Sequence, residues 1–118
     1  ELQGSFAGSV PVSGQDGDLA ALNRVALGTQ TVDVWKDARD LGTAAGEAAL
    51  QLCKDADTSK VTGASPFTTP GGNDLSTILL TPIAITQENL NVVLDAGWIT
   101  KADLCKGDVD TAKVTVCA

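Results

Sequence analysis

Residues Ser9 to Trp35 read SVPVSGQDGDLAALNRVALGTQTVDVW, and the fold turns on how this stretch is parsed. Ser9 to Gly14 alternates apolar and small residues like a short strand that ends at a glycine, and Pro11 argues against a central position in a sheet. Asp16-Gly17-Asp18 then supplies helix N-cap chemistry, Leu19, Leu22 and Ala26 fall at helical spacing, and Gly28 is placed to end the helix. Thr31 to Trp35 alternates with period two, as a second strand does. Two strands around one helix predict a βαβ unit, and with it a parallel sheet.

Working outward, a second helix is expected from about Asp37 to Cys53, with Leu41, Ala45, Ala48 and Leu52 on one closely packing stripe. Residues 55–74 carry Gly63, Pro66, Pro70, Gly71 and Gly72 and read as a long surface loop. Ser76 to Leu80 reads as a buried strand that Thr81-Pro82 stops or bends, and Ile83 to Ile85 continues extended. Thr86 is expected to cap a helix through Leu94 that ends before Gly97. Thr100 and Asp103 have the spacing of a reduced capping box, and Lys113 to Cys117 alternates like an edge strand. The pattern is α/β, without internal repeats.

The chain has 118 residues, 43% of them hydrophobic, which suits one domain's worth of core rather than a disordered tail. Eight Lys and Arg against 15 Asp and Glu give a net charge of −7, which repels phosphate backbones and argues against nucleic-acid partners. His and Tyr are absent, so the usual neutral-pH general base and the phenolic acid are missing, and we expect no enzymatic activity. Met is absent too, and the abrupt start at Glu1 leads us to expect that upstream sequence has been removed. Cys53, Cys105 and Cys117 form no CxxC pair and have no His beside them, so neither a metal site nor a cofactor is expected. An odd count of cysteines allows one disulfide plus a free thiol, or three thiols. Cys105 and Cys117, 12 positions apart around Lys106-Gly107-Asp108, are the easier pair to join, leaving Cys53 reduced.

Chemistry concentrates in Ser13-Gly14-Gln15-Asp16-Gly17-Asp18, between the end of a strand and the start of a helix, the edge where open α/β sheets bind ligands. Two carboxylates in the loop disfavour phosphate and suit a neutral ligand with hydroxyl donors, because a carboxylate only accepts and can take two hydroxyls at once. The plainer alternative is that Asp16 or Asp18 caps the helix. Lys36 ends the second strand, and parallel neighbours bring strand ends to one edge, where it would donate while Asp16 accepts; its plainer role is that of a solvated lysine. Trp35 alternates to the opposite side, for packing, and Trp98 is placed to pack under the helix before it.

The stretches Val10 to Ala21 and Gly28 to Lys36, then Leu79 to Thr86, Asn89 and Asp95 to Trp98, resemble the C-terminal part of bacterial D-xylose-binding and multiple-monosaccharide-binding proteins of ABC importers. The resemblance implies a type I periplasmic-binding-protein fold with Rossmann-like parallel sheets, of which only the C-terminal part of the two-lobed architecture is present. It implies a monosaccharide, xylose or a related aldose, held in a cleft over which the lobes close. Asp16 and Lys36 would hydrogen-bond the sugar, with Gln15 beside them. Residues 1–36 would end the distal lobe, residues 37–81 would return to the other lobe with the 55–74 loop, and residues 82–118 would hold a second hinge crossing and the C-terminal helix and tail. The implied partners are a membrane permease and the missing N-terminal part or a companion fragment, in an extracytoplasmic location. Competing readings are a sugar-sensing module of the same fold, or an α/β interaction module that has lost its ligand. The chain departs from the family at Trp35, where relatives commonly carry Tyr, and at Cys105 and Cys117, which are not general family features.

Overall fold

Strand β1 (Ser13–Gln15), helix α1 (Leu19–Ala26) and strand β2 (Val32–Trp35) form the βαβ unit, with Gly14 opposite Asp33 in parallel register. The first strand starts later than its alternation predicts: residues 5–9 are turn and only Ser13 to Gln15 pair. Pro11 contributes to that delay, having no N–H to give a ladder. Asp18 is the N-cap of α1, accepting from the Ala20 and Ala21 amides, and Gly28 leaves the helix at φ +75°. The structure used here is a computed structural model that describes residues 5–118.

Helix α2 (Ala38–Lys54) follows, capped by Asp37, whose carboxylate accepts from the Arg39 amide. The expected 55–74 loop instead contains regular structure. A 3-10 turn spans Thr58–Lys60, and strands β3 (Ser65–Thr68) and β4 (Asp74–Thr77) form an antiparallel hairpin. Pro66 is tolerated because both strands of a two-stranded ribbon are edges, and Pro70-Gly71-Gly72 makes the turn rather than a long loop. The strand expected at Ser76 to Leu80 therefore lies earlier, at Asp74–Thr77, and it is exposed, not buried.

Strand β5 (Ile83–Ile85) adds to the first sheet beside β2, but antiparallel, so the three-stranded sheet of order β1-β2-β5 is mixed. This corrects the expectation of wholly parallel sheets: β5 is not reached through a βαβ crossover onto β2's direction, and Trp35 pairs with Ile83 where the strands meet. The helix expected from Thr86 is also shorter. Asn89 folds back to accept from the Thr86 amide and donate to the Ala84 carbonyl, so a turn precedes helix α3 (Asn91–Asp95). Helix α4 (Lys101–Leu104) is capped by Thr100, whose hydroxyl accepts from the Asp103 amide. The tail is not an edge strand but a 3-10 turn at Thr115–Cys117, tied down by the Cys105–Cys117 disulfide, while Cys53 is free and exposed.

The described chain divides into two units, residues 5–36 with 82–118, and residues 37–81. The first contains the core: Leu22 and Val25 of α1, Trp35 of β2, Ile85 of β5, Leu90, Val93 and Ile99, Leu104 of α4 and Val114 of the tail. The Asn23 amide donates to the Leu104 and Lys106 carbonyls, which seats the chain after α4 on the back of α1. In the second unit Val61 is the one buried apolar residue, and α2 buries none of its stripe, contrary to the close packing its small residues suggest.

Candidate functional site

The parallel pairing of β1 and β2 carries Gln15 and Trp35 to the same end of the sheet, and the chain leaves β1 into the loop that precedes α1. There the Asp16 amide donates to the Val34 carbonyl at 2.8 Å, extending the pairing by one bond. Asp16 itself has φ +77°, the single described non-glycine residue in the left-handed region. Asp is among the few side chains that tolerate this conformation, and held strain of this kind gathers at functional sites.

Gly17 is gripped at both of its peptide groups, the one shared with Asp16 and the one shared with Asp18. The Gly17 N–H donates to Asp33 Oδ1 at 2.8 Å, and the Gly17 carbonyl accepts from Trp98 Nε1 at 2.6 Å. A Cβ at Gly17 would collide with the Trp35 ring and lie 3.0 Å from Trp98 Nε1, which is why glycine stands there. Gly14 is required for a similar reason, because a Cβ would run into the Asp33 carboxylate and sit 2.6 Å from Gln30 Nε2. The two indoles pack with centroids 5.7 Å apart, tilted by 54°, so Trp35 serves packing beneath the loop.

Asp33 and Gln30 were not singled out by the sequence reading. Asp33 is fully buried; its Oδ2 accepts from Gln30 Nε2 at 3.0 Å, and Gln30 Oε1 accepts from Arg24 Nε at 3.2 Å. A signal was present: along Val32-Asp33-Val34-Trp35 the period of two puts a carboxylate on the same face as Trp35. A buried carboxylate on a core-facing strand position must have hydrogen-bond donors, and here they come from the loop and from Gln30.

Of the three residues proposed from sequence, all meet at this edge. Lys36 Nζ lies 2.6 Å from Asp16 Oδ1 and 3.4 Å from Gln15 Oε1. Asp18 caps α1 and Asp16 does not, so the two aspartates divide the roles that sequence left open between them. The side chains of Asp16 and Lys36 remain 64% and 40% exposed, so their ion pair contributes only about 0–1 kcal/mol to stability. It is an acceptor and a donor held side by side, open to solvent on a rigid base. Such a pair can exchange its mutual contact for hydroxyl groups of a ligand, the carboxylate accepting and the ammonium donating. Among the described residues no three His, Cys, Asp or Glu side chains are grouped to hold a metal, and no helix is long and apolar enough to cross a membrane.

No family model matches the chain. Over 100 residues, 84% of its length, it is 35% identical to the D-xylose-binding periplasmic protein of Haemophilus influenzae. It is 34% identical, over the same share, to the D-xylose-binding periplasmic protein of Escherichia coli K12. The chain spans 29% of the length of each. Both are proteins of the kind that its loop and strand-end lysine resemble.

Proposed function

Because the chain is similar over most of its length to one segment of D-xylose-binding periplasmic proteins, we propose that it contributes part of a monosaccharide site in the binding component of an ABC sugar importer. The observation that carries the proposal is the Asp16–Lys36 pair, fixed on a strained loop at the end of two parallel strands and not used for capping. Asp16 accepts from sugar hydroxyls, Lys36 donates to a hydroxyl or ring oxygen, and Gln15 lies within reach of the same ligand. Residues 1–36 close the distal lobe of a type I periplasmic-binding-protein fold, and the chain crosses between lobes after Lys36 and again at Thr81-Pro82. The division of the chain into units at these two points supports that assignment. On this reading the sugar is captured outside the cytoplasm, without chemical conversion, and handed to a membrane permease. By the same reading, the remainder of the site lies in the part of such a protein that the chain does not span.

Calorimetric titration of the intact protein with D-xylose, D-glucose, D-galactose and L-arabinose tests this. Asp16→Asn and Lys36→Met are each expected to weaken the tightest ligand by about tenfold or more, the consequence of leaving a desolvated partner unpaired. Unchanged affinity in both, with the circular dichroism spectrum retained, removes them from the site.

A further inference from the structure

The Asp16 side chain is exposed, yet the backbone that aims it is held from the interior, and the groups doing so lie far from it in sequence. The N–H of the Asp16–Gly17 peptide is held by Asp33 and the C=O of the Gly17–Asp18 peptide by Trp98, from β2 and from the segment after α3. Asp33 is in turn bonded by Gln30, which receives Arg24 from α1. Every link joins groups of the same unit.

We propose that Asp33 and Trp98 are positioning residues for ligand binding: together they clamp the peptide groups on either side of Gly17 and so keep Asp16 in the left-handed conformation that turns its carboxylate toward Lys36. The inference rests on the sugar-site reading above and adds to it the groups that preorganise the site. A burial argument supports it. A carboxylate placed at zero exposure with only amide donors is a costly way to fill a core position, and an apolar residue on the β2 face would fill the same space without that cost. The carboxylate's Oδ1 is spent on one loop amide, whose neighbour is the exposed aspartate. Without the clamp, the Asp16-Gly17 peptide is free to relax from positive φ, and the ligand must then reorder it on binding, which lowers affinity.

The test uses the intact protein and the tightest of the four sugars. Asp33→Asn keeps the shape but removes the charge and leaves one acceptor oxygen for two donors, the Gly17 N–H and Gln30 Nε2, which weakens the hold on Gly17; Trp98→Phe removes the indole N–H. Each is expected to weaken binding by about tenfold. In the Asp16→Asn background, Asp33→Asn is expected to cost no further affinity, since there is no carboxylate left to aim. Val114→Ala, at a buried residue with no hydrogen bond to the loop, serves as the control that lowers stability and keeps affinity. The Gly17 amide resonance should move and its exchange quicken in Asp33→Asn, and the Trp98 indole resonance reports the other side of the clamp. Wild-type affinity in Asp33→Asn and Trp98→Phe while Asp16→Asn is weakened overturns the clamp and leaves the sugar site standing. Unchanged affinity in Asp16→Asn overturns the sugar site, and the positioning role with it. Equal losses from Asp33→Asn with and without the Asp16 carboxylate also overturn the clamp, as general loosening of the fold. Should Asp33→Asn not fold, Trp98→Phe, alone and combined with Asp16→Asn, decides by the same criteria.

Discussion

Helices α1 and α2 both carry an apolar stripe at helical spacing, yet α1 buries Ala21, Leu22, Val25 and Ala26, whereas α2 buries nothing. The difference lies in what each helix is given to pack on. Around α1 the same unit supplies β2, β5, α3, α4 and the bridged tail, enough to cover these four residues, while Leu19 at the first turn stays half exposed. Around α2 it supplies a 3-10 turn and a two-stranded hairpin, and these leave a groove of about 350 Å³ bordered by Leu41, Ala45, Ala48, Leu52, Val61 and Ile78. Leu50 and Leu79, at 65% and 67% exposure, also belong to this unit. An amphipathic pattern therefore states that a face is to be covered and does not state by what.

Substitutions that remove apolar side chains are expected to divide the two units most sharply. Leu104→Ala, in the core of the first unit, should lower its unfolding free energy by about 2–5 kcal/mol, because it leaves a cavity among residues with nowhere to relax. Leu50→Ser, on α2, should change stability by no more than about 0.5 kcal/mol, as an exposed surface position does. Denaturant titration followed by far-ultraviolet circular dichroism, to which α1 of the first unit and α2 of the second both contribute, measures both. A comparable loss at Leu50 would mean that its face is covered in solution.

The covalent difference between the units comes next in size. Replacing Cys105 and Cys117 together by Ser should cost about 3 kcal/mol, the scale for a closed loop of this length, because the unfolded tail regains its freedom. Cys53→Ser, on exposed α2, should leave the melting temperature where it was. Calorimetric melting of the two variants side by side checks this, and a reversed order would show that the bridge bears no part of the tail's attachment.

The smallest expected effect is electrostatic and falls on the other unit. Asp37 is held below its ordinary value of 3.8 by the side-chain hydrogen bond from Arg39, Asp55 by the one from Lys60, and Asp57 by those from the Ser59 hydroxyl and amide and then Lys60. A carboxylate lowered on folding contributes stability that is present above its unfolded value and is lost as pH falls through its folded one. Acidification from about pH 5 downward should therefore weaken the start and end of α2. The groups are exposed, so the change should be modest and weaker in high salt. Amide exchange of residues 37–60 followed from pH 6 to pH 3, corrected for intrinsic rates, should show protection falling; substituting Asp37 by Ser should flatten the response at the N-terminal turn. Protection that rises with acid would contradict the assigned pairs.

Much of the local architecture was legible before folding was considered. Gly28 ending α1, Thr100 capping α4 and the alternation of β2 follow from bonds within a few residues of each other. The hairpin was hidden because Pro66 and Pro70 carry the same signal in a loop as in an edge strand and its turn. The loop of Gln15 and Asp16 with Lys36 was legible as a candidate site, since a strand-to-helix junction and a parallel strand end announce themselves in the pattern. Its support was not, because Asp33 meets Gly17 from 16 positions away and Trp98 meets it from 81.

What the sequence by itself determined, then, is where helices start and stop, which side of β2 faces inward, and that an acceptor and a donor stand at one edge. The tertiary structure alone decided that β5 lies antiparallel to β2, that Asp18 caps while Asp16 pairs with Lys36, and that α1 is covered while α2 is not. The physical reason is one of range. Capping and periodicity are settled by groups a turn apart, whatever the rest of the chain does. Strand direction, a buried carboxylate's partners and the covering of an apolar face depend on which distant segments close upon each other, a choice made by the summed burial and hydrogen bonding of the whole unit.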